Sequence, residues 1–536
     1  MNASSPHPAS FRRHALAVAP ALLAAVAVFY RAPHTFFASD DLVALARVAG
    51  LEPTPPTFRP LSAVVAFQLQ YAAFGLDPLG YHLVNLALHL AAVVGVYALA
   101  REFSGRAWVA AAAALLFAAS GIAFTPVHWV SGIGDLIACN LLLVATLIYR
   151  EARRRDHGAL LGASVTLAFA AVLAKESAIG WPLAIGWLEW RNRSATARGP
   201  VLWPAAVAAL AMVVWLFATR HPVAAPSGPY SVSGAPGHLL ENGLTYLRWA
   251  VAIWDPHRDR VAAVDPNAWP VGALVALLAI IAIRHGRNTT PRPFESGLAW
   301  FAAFVLPVLP LSHHTYLYYL YIPWAGGALA VAVAGAMVID RWPVRSARVA
   351  AAAALVAVVG LEARGVELRQ RSTLDGLPAD RTLRESLLLG HVVPALRAAQ
   401  LPPGTEVGFV NPVARLRFDL VREAPTLARD ADDRRSYLPL EAVLQDGRAL
   451  RLFTPGLVPR GFAATIPAEW TEVECFLYEQ RGFLRAWGRG AGALTRQGMW
   501  QDSLGQPAAA ESSFARARAL KDTLAVAAGS RREPSL

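Results

Sequence analysis

The chain has 536 residues, of which 55% are hydrophobic and only 16% are charged. A soluble domain normally carries about a quarter charged residues, so this composition excludes an ordinary soluble protein. The net charge of +12 would suit a nucleic-acid partner, but the arginines cluster in short connections between apolar runs, and we exclude nucleic acid on that ground. The sequence therefore predicts a mainly α, polytopic helical membrane protein whose partner is the lipid bilayer.

Eleven apolar segments are predicted to span the membrane. The first is too long, and too poorly followed by a cleavage site, to be a removed signal peptide. The two cysteines, Cys139 and Cys475, are too few for a disulfide framework. The predicted spans are roughly 14–31, 82–100, 107–124, 132–149, 158–174, 177–190, 201–219, 268–284, 297–311, 316–338 and 347–362.

Arginines fill alternate connections between these spans, and the positive-inside rule makes such connections cytoplasmic. The N-terminus is therefore expected inside, and eleven spans place the C-terminal segment outside. The sequence thus predicts a transmembrane domain over 1–362 and an external domain over 363–536. The basic connections are 12–13, 101–106, 150–155, 191–198, 284–292 and 341–348.

The opposite connections carry carboxylates, histidines and a lysine instead. Ionisable residues at or inside a membrane are costly and are functional candidates by default, so we expect an active or binding site on the outer face. This face holds the segment 31–81, the loop from His128 and Trp129 to Asp135, the turn at Lys175 and Glu176, the loop 220–266, and His313 with His314.

Asp40 and Asp41 follow the first span and are the leading catalytic candidates. An alternative interpretation is structural: Ser39 caps a helix, and the two acids favour its first turn through the helix dipole. The nearby apolar segment 61–76 is short and follows a proline-rich turn. We expect it to lie along the outer face as an interfacial helix that shapes a groove over the acidic pair.

His82, Asn85 and His89 fall at i, i+3 and i+7 and therefore share one face of a helix. A metal site would need a further ligand, and no acidic residue is near in sequence. Hydrogen bonding between helices is the preferred interpretation. Asp135, at the outer end of another span, is alternatively a carboxylate that favours a helix N-terminus.

Lys175 is one of only two lysines in an arginine-rich chain, the other being Lys521. Its functional interpretation is a point charge that binds phosphate. Its structural interpretation is an ion pair with Glu176 or Asp135. The residues alone leave these two interpretations equally supported.

Five motifs in order resemble a known family. They are Asp40–Asp41, Arg59-Pro60-Leu61, Tyr81-His82-Leu83-Val84-Asn85 with His89, Trp129-Val130-Ser131-Gly132 with Asp135, and Ala174-Lys175-Glu176-Ser177-Ala178. Together they resemble the C-type membrane glycosyltransferases, particularly the tetratricopeptide-containing transmembrane O-mannosyltransferases and their bacterial relatives. The resemblance covers about the first 330 residues.

The resemblance implies an inverting transferase that moves a sugar from a polyprenyl-phosphate donor to an acceptor protein or glycan. The acidic pair would be the catalytic centre, with Asp40 as base. Lys175 and Arg59 could supply positive charge to the departing phosphate. Glu176, His82, Asn85, His89, His128, Trp129, Asp135, His313 and His314 are supporting candidates. No metal site is assigned, and a divalent-metal requirement stays open. The expected location is a bacterial inner membrane.

Two departures from the family pattern stand out. The family commonly has an arginine where this chain has Ile133, and often has Glu-Arg-Tyr near the tenth span, where Leu317–Pro323 stands here. These losses leave open an inactive membrane scaffold of the same fold. A lipid or solute transporter is a further alternative, but it predicts internal repeats and polar residues at the bilayer midplane, and we find neither pattern.

The C-terminal segment should form a small α/β domain. Residues 405–410 and 474–478 have the composition of strands. Residues 489–528 are predicted to form a helical hairpin whose second half resembles a tetratricopeptide helix. A stable array needs about three repeats, so an ordinary helical hairpin is the alternative.

Overall fold

The computed structural model describes residues 8–192, 201–219, 231–260, 293–312, 314–374, 377–411, 439–445, 447–479 and 481–530. These residues fall into two compact units. The first unit contains the described residues up to Thr35 and those from Thr54 to Ser372. The second contains Phe36–Pro53 and the described residues from Thr373 onward.

Helices dominate the described residues. Numbered in chain order, the α-helices are α1 (Pro8–Val28), α2 (Asp40–Val48), α3 (Phe67–Phe74), α4 (Pro78–Ser104), α5 (Ala107–Ala118), α6 (Phe124–His128), α7 (Ile133–Arg155), α8 (Gly158–Ala174), α9 (Trp181–Asn192), α10 (Trp203–Ala218), α11 (Pro236–Val251), α12 (Pro293–Val305), α13 (Tyr321–Arg341), α14 (Arg345–Arg371), α15 (Arg381–Ala398), α16 (Pro439–Leu444), α17 (Arg448–Phe453), α18 (Gly490–Ser503) and α19 (Pro507–Ser530). A π-helix covers Leu61–Ala66, and short 3₁₀ turns cover Ala32–His34, Gly121–Ala123, Val130–Gly132, Glu176–Gly180, Arg258–Arg260, Leu306–Val308 and Leu317–Leu320.

The described residues include five helices that are long and apolar enough to cross a membrane, or six if the bent pair Ala107–Ala118 and Gly121–His128 forms one span. Shorter apolar helices occupy Leu61–Phe74, Gly158–Ala174, Trp203–Ala218 and Pro293–Val308. The mainly α, polytopic membrane fold is therefore confirmed. The count of eleven spans stays a prediction, and the predicted span 268–284 lies outside the described residues.

The division between the units differs from the predicted boundary. Position 362/363 falls inside α14, whereas the C-terminal part of the second unit begins at Thr373, after that helix ends. The segment Phe36–Pro53, assigned by sequence to the membrane part, groups with the C-terminal residues. Its aromatic residues explain this grouping, because the rings of Phe36 and Phe37 pack on Phe453 at centroid distances of 5.3 and 5.9 Å.

Two glycines let α12 and α13 approach closely. A Cβ on Gly297 would stand 2.6 Å from the carbonyl oxygen of Gly326, and a Cβ on Gly326 would stand 2.4 Å from that of Gly297. Small residues at membrane helix contacts allow such backbone contact. Gly180 does the same against α12, where a Cβ would meet the Ala303 carbonyl oxygen at 2.2 Å.

The second unit contains six described strands, which are β1 (Thr373–Leu374), β2 (Leu377–Pro378), β3 (Glu406–Val410), β4 (Val458–Ala463), β5 (Glu474–Tyr478) and β6 (Leu484–Gly488). Strands β1 and β2 form a short antiparallel pair. The other four form a sheet in the order β4-β3-β5-β6. Strand β3 is parallel to β4 and β5, while β5 and β6 are antiparallel. The two predicted strands are confirmed as β3 and β5.

The core of the second unit lies between this sheet and the terminal hairpin of α18 and α19. Trp470, Trp487 and Leu494 are buried there. Gly408 must be a glycine, because a Cβ would stand 2.3 Å from the Trp470 ring. A buried hydrogen bond joins the two helices of the hairpin: the Gln497 side chain donates to Ser513 Oγ at 2.9 Å. Its relation to tetratricopeptide units stays a prediction.

We expect Gly326→Ala to destabilise the first unit, because the added methyl group overlaps the α12 backbone. Overpacking of this kind typically costs about 1–3 kcal/mol. Gly335→Ala on the same helix is the matched control, since no atom lies within 4 Å of its Cβ position. Thermal unfolding of the detergent-solubilised protein checks the difference. Equal midpoints for the two variants would contradict the close helix contact.

Candidate active site

The acidic pair follows a strained backbone turn in the second unit. Ser39 has φ 51° and ψ −121°, a conformation that non-glycine residues rarely adopt. Ser39 occupies the N-cap position of α2, but its hydroxyl makes no capping hydrogen bond there. The Asp41 carboxylate instead reaches back and accepts a hydrogen bond from the backbone N–H of Ala38 at 2.9 Å. The turn is thus stabilised by the second acid rather than by the serine.

The two carboxylates have different environments. Asp41 is fully buried, and its hydrogen bond to Ala38 gives it a local structural role. Asp40 is exposed, and its carboxylate forms no hydrogen bond or ion pair with any described residue. A carboxylate that neighbouring groups do not neutralise is available to accept a proton. The two acids therefore differ: Asp41 stabilises the turn, and Asp40 is accessible to solvent.

A group of four charged residues lies in the first unit. Lys175 Nζ donates to Asp135 Oδ2 at 2.9 Å, and both residues are at least 96% buried. Arg59 forms a bidentate pair with Glu176, in which its Nε and Nη2 donate to the two carboxylate oxygens. Each cation is paired with one carboxylate, so the group of four charged residues has no net charge.

Aromatic rings complete this group around Lys175. The ammonium lies 4.9 Å from the ring centroid of Tyr318 and 5.0 Å from that of Tyr319, which are cation–π distances. The His314 ring approaches Tyr319 at 6.0 Å and Tyr316 at 4.7 Å. Tyr318 and Tyr319 belong to Leu317–Pro323, the stretch in which the sequence departs from the family pattern. Two aromatic residues of that stretch therefore contact the lysine directly.

Local backbone contacts set the position of Lys175 and Asp135. Lys175 follows the last residue of α8, and Asp135 lies in the first turn of α7. Ser62, in the π-helix, donates to the carbonyl oxygen of Ala174 at 2.7 Å. Gly134 lies against the same carbonyl, which a Cβ there would approach to 2.9 Å. The apolar segment 61–76 thus supports the ion pair, and its interfacial location stays a prediction.

His82, Asn85 and His89, all on α4, form side-chain hydrogen bonds with other elements of the first unit. All three are fully buried. The Asn85 side chain donates to the carbonyl oxygens of Trp129 at 2.8 Å and Pro126 at 3.1 Å. His82 Nε2 lies 3.0 Å from Thr35 Oγ1, and His89 Nδ1 lies 2.9 Å from the Tyr321 hydroxyl.

His128 and Trp129 are also tied to neighbouring elements. The His128 ring stacks on Phe124, and the side chain of Gln370 donates to its Nε2 at 3.0 Å. Trp129 is half-buried, with its ring 6.2 Å from that of Tyr318. His313 lies outside the described residues. Within the part of the chain that is described, no group of three or more His, Cys, Asp or Glu residues has the arrangement of a metal site.

Sequence reasoning missed Tyr318 and Tyr319, although the aromatic run from Tyr316 to Tyr321 was a visible signal. Two further contacts were not predicted: Gln445 contacts the acidic turn, and Arg448 contacts Glu52. Gln445 donates to the Ser39 carbonyl oxygen at 2.7 Å, and Arg448 donates to Glu52 at 2.8 Å. No local pattern marks these pairs, because about 400 residues separate their members.

Comparison with known proteins gives partial matches. The chain is 40% identical over 124 residues to the protein O-mannosyl-transferase Tmtc1 and 41% identical over 130 residues to Tmtc2, both of Drosophila melanogaster. It is 32% identical over 136 residues to human TMTC1. The resemblance to transmembrane O-mannosyltransferases is confirmed. Each match covers 23% of this chain and only 14–15% of the relative.

No family model matches the chain. Among solved structures, the chain is similar to ArnT from Cupriavidus metallidurans, determined with bound undecaprenyl phosphate. That similarity has a TM-score of 0.42 at 15% identity and covers 87% of this chain and 92% of ArnT.

The buried pair of Lys175 and Asp135 should be essential for stability. Asp135→Asn leaves a buried lysine without its counter-charge, and breaking a buried pair typically costs about 3–5 kcal/mol. Asp340→Asn is the control, because Asp340 and its partner Arg106 are about half exposed and such pairs contribute about 0–1 kcal/mol.

Thermal unfolding in detergent compares the two variants. The double variant Lys175→Met with Asp135→Leu should recover most of the stability, since it removes both charges together. Equal losses for Asp135→Asn and Asp340→Asn would show that the buried pair does not stabilise the fold.

Proposed function

We propose that this protein is an inverting membrane glycosyltransferase. It transfers a sugar from a polyprenyl-phosphate donor to a hydroxyl group of an acceptor protein or glycan on the external face. The observation that carries the proposal is Asp40, an exposed carboxylate on a strained turn beside a buried, hydrogen-bonded partner. The named activity of the partly matching relatives supports this class of reaction and makes mannose the first sugar to test.

Asp40 acts as general base in this proposal. The acceptor oxygen attacks the anomeric carbon as Asp40 takes the hydroxyl proton, and the bond from that carbon to the phosphate oxygen breaks. The electron pair leaves with polyprenyl phosphate, which is a good leaving group without protonation. Attack opposite the leaving phosphate inverts the anomeric centre. Asp41 holds the turn through Ala38 and thereby orients its neighbour.

Lys175 and Arg59 bind the donor phosphate in this scheme. An ammonium has three N–H donors, and Asp135 accepts from one of them, so Lys175 retains donors for a phosphate oxygen. Asp135 and Glu176 hold the two cations in place before a donor arrives. Because Lys175 is buried and Arg59 is half-buried, an incoming phosphate meets cations that are already positioned and largely removed from water. The faces of Tyr318 and Tyr319 limit the positions the ammonium can take.

The alternating arginine connections support the orientation of this reaction. They favour a cytoplasmic N-terminus and an external second unit. The acidic turn belongs to that second unit. An external catalytic turn accords with an acceptor on the outer side of the membrane.

Asp40→Asn should abolish most transfer while leaving the fold intact. The amide has the size of the carboxylate but cannot take the acceptor proton, and a positioned base contributes roughly 10²–10⁴-fold to rate. Transfer from a lipid-linked sugar in membranes, at matched protein level and with donor binding measured separately, checks the loss. Glu441→Gln in the same unit is the control, because Glu441 is also exposed.

Near wild-type transfer by Asp40→Asn would remove Asp40 as the base. Loss of folding in Asp40→Asn would instead favour the structural interpretation of the acidic pair. Wild-type protein that binds the donor but never consumes it would favour the inactive scaffold.

Lys175→Ala should weaken binding of polyprenyl phosphate far more than Lys521→Ala, an exposed lysine on α19. Direct binding to the purified, folded variants measures this difference. Lys175→Arg retains the positive charge and a donor for Asp135, and it should restore part of the affinity. Equal, small effects of Lys175→Ala and Lys521→Ala would leave Lys175 with only its structural ion pair.

A further inference from the structure

The acidic turn is built by residues from the far end of the chain. Within the second unit, the Gln445 side chain donates to the Ser39 carbonyl oxygen at 2.7 Å. The backbone N–H of Phe36 donates to Ser386 Oγ at 2.6 Å. The rings of Phe36 and Phe37 pack on Phe453. These contacts tie the residues that directly precede the acidic pair to residues more than 340 positions away.

Gln445 is itself held in place by an ion-paired arginine. Its Oε1 accepts from Arg448 Nη1 at 2.6 Å, and Arg448 Nε donates to Glu52 at 2.8 Å. Arg451 donates to the same Glu52 oxygen at 2.9 Å. Glu52 lies just beyond the end of α2, so the contacts form a circuit from Ser39 through Gln445 and Arg448 back to the acidic segment. The hydrogen bond from Arg448 lowers the pKa of the Glu52 carboxyl, which favours its charged form.

The circuit joins two strained residues. Ser39 has φ 51° and Gln445 has φ 46°, and they are two of the four described non-glycine residues with positive φ. Such conformations cost free energy and persist only where surrounding contacts determine them. The hydrogen bond between Gln445 and Ser39 is one such contact, and it acts on the residue directly before Asp40.

We propose that Gln445 is a positioning residue for the catalytic carboxylate of Asp40, acting through the carbonyl group of Ser39. This inference rests on the proposed function. Small displacements of a catalytic group, made by mutations away from the chemistry, can lower a rate by about 10²-fold. The acidic turn and the residue proposed to position it both belong to the second unit.

Gln445→Glu is the decisive variant. One carboxylate oxygen still accepts from Arg448, while the other replaces the donating NH₂ group and repels the Ser39 carbonyl. We expect kcat to fall roughly 10- to 100-fold with donor binding unchanged. Glu441→Gln, one turn earlier in sequence, exchanges the same two groups in the opposite direction at an exposed position and should leave kcat unchanged.

A second substitution separates positioning from general destabilisation. Glycine adopts positive φ without strain, so Ser39→Gly in the Gln445→Glu background should recover a large part of kcat. A structural defect elsewhere in the unit would not respond to that change. No recovery by Ser39→Gly, or a kcat for Gln445→Glu equal to that of Glu441→Gln, would overturn the proposal.

Amide hydrogen exchange tests the positioning without any substrate. The backbone N–H groups of Asp41 and Leu42 donate within the turn, to Ala38 and Ser39 respectively. Exchange over residues 38–42 should be faster in Gln445→Glu than in Glu441→Gln, and unchanged exchange there would overturn the proposal. Because this readout needs no transfer, it stands even if the chain proves not to move sugars, and the two proposals fail separately.

Discussion

A fully buried carboxylate must find a hydrogen-bond donor, and Asp41 finds one in the backbone N–H of Ala38. This hydrogen bond closes the turn in which Ser39 takes its strained conformation. As a result, Asp40 lies at the start of α2 and is exposed. Asp41 thus stabilises the turn, while the carboxylate of Asp40 remains exposed. The proposed chemistry depends on that division of roles between adjacent residues.

In the first unit, buried and half-buried charges are likewise paired with partners. Lys175 is buried with Asp135, and Arg59 is half-buried with Glu176. Isolated buried charges would be costly, so each cation is paired, and the pairs hold both cations in fixed positions. Tyr318 and Tyr319 then confine the lysine from a third direction. The functional and structural interpretations of Lys175 are therefore compatible, since a paired ammonium keeps donors for a phosphate.

Residue chemistry was enough to predict the membrane class, the helical fold and strands β3 and β5. Those features follow from apolar run length and from the composition of the strands. For Lys175 the residues left open phosphate binding and an ion pair with either Glu176 or Asp135, and the structure pairs it with Asp135. The grouping of Phe36–Pro53 with the C-terminal residues did not follow, because its contacts run through single side chains such as Gln445 and Phe453. The Ser39 conformation also left no compositional signal, since a serine before two aspartates is typical of an ordinary helix cap.

The most direct test is transfer by the purified protein in lipid nanodiscs. The protein would be given a polyprenyl-phosphate-linked mannose of known anomeric configuration together with a hydroxyl-bearing acceptor peptide. We expect the sugar to appear on the acceptor with the opposite configuration and an equal amount of polyprenyl phosphate to be released. Retained configuration, or intact donor with every lipid-linked hexose supplied, would contradict it.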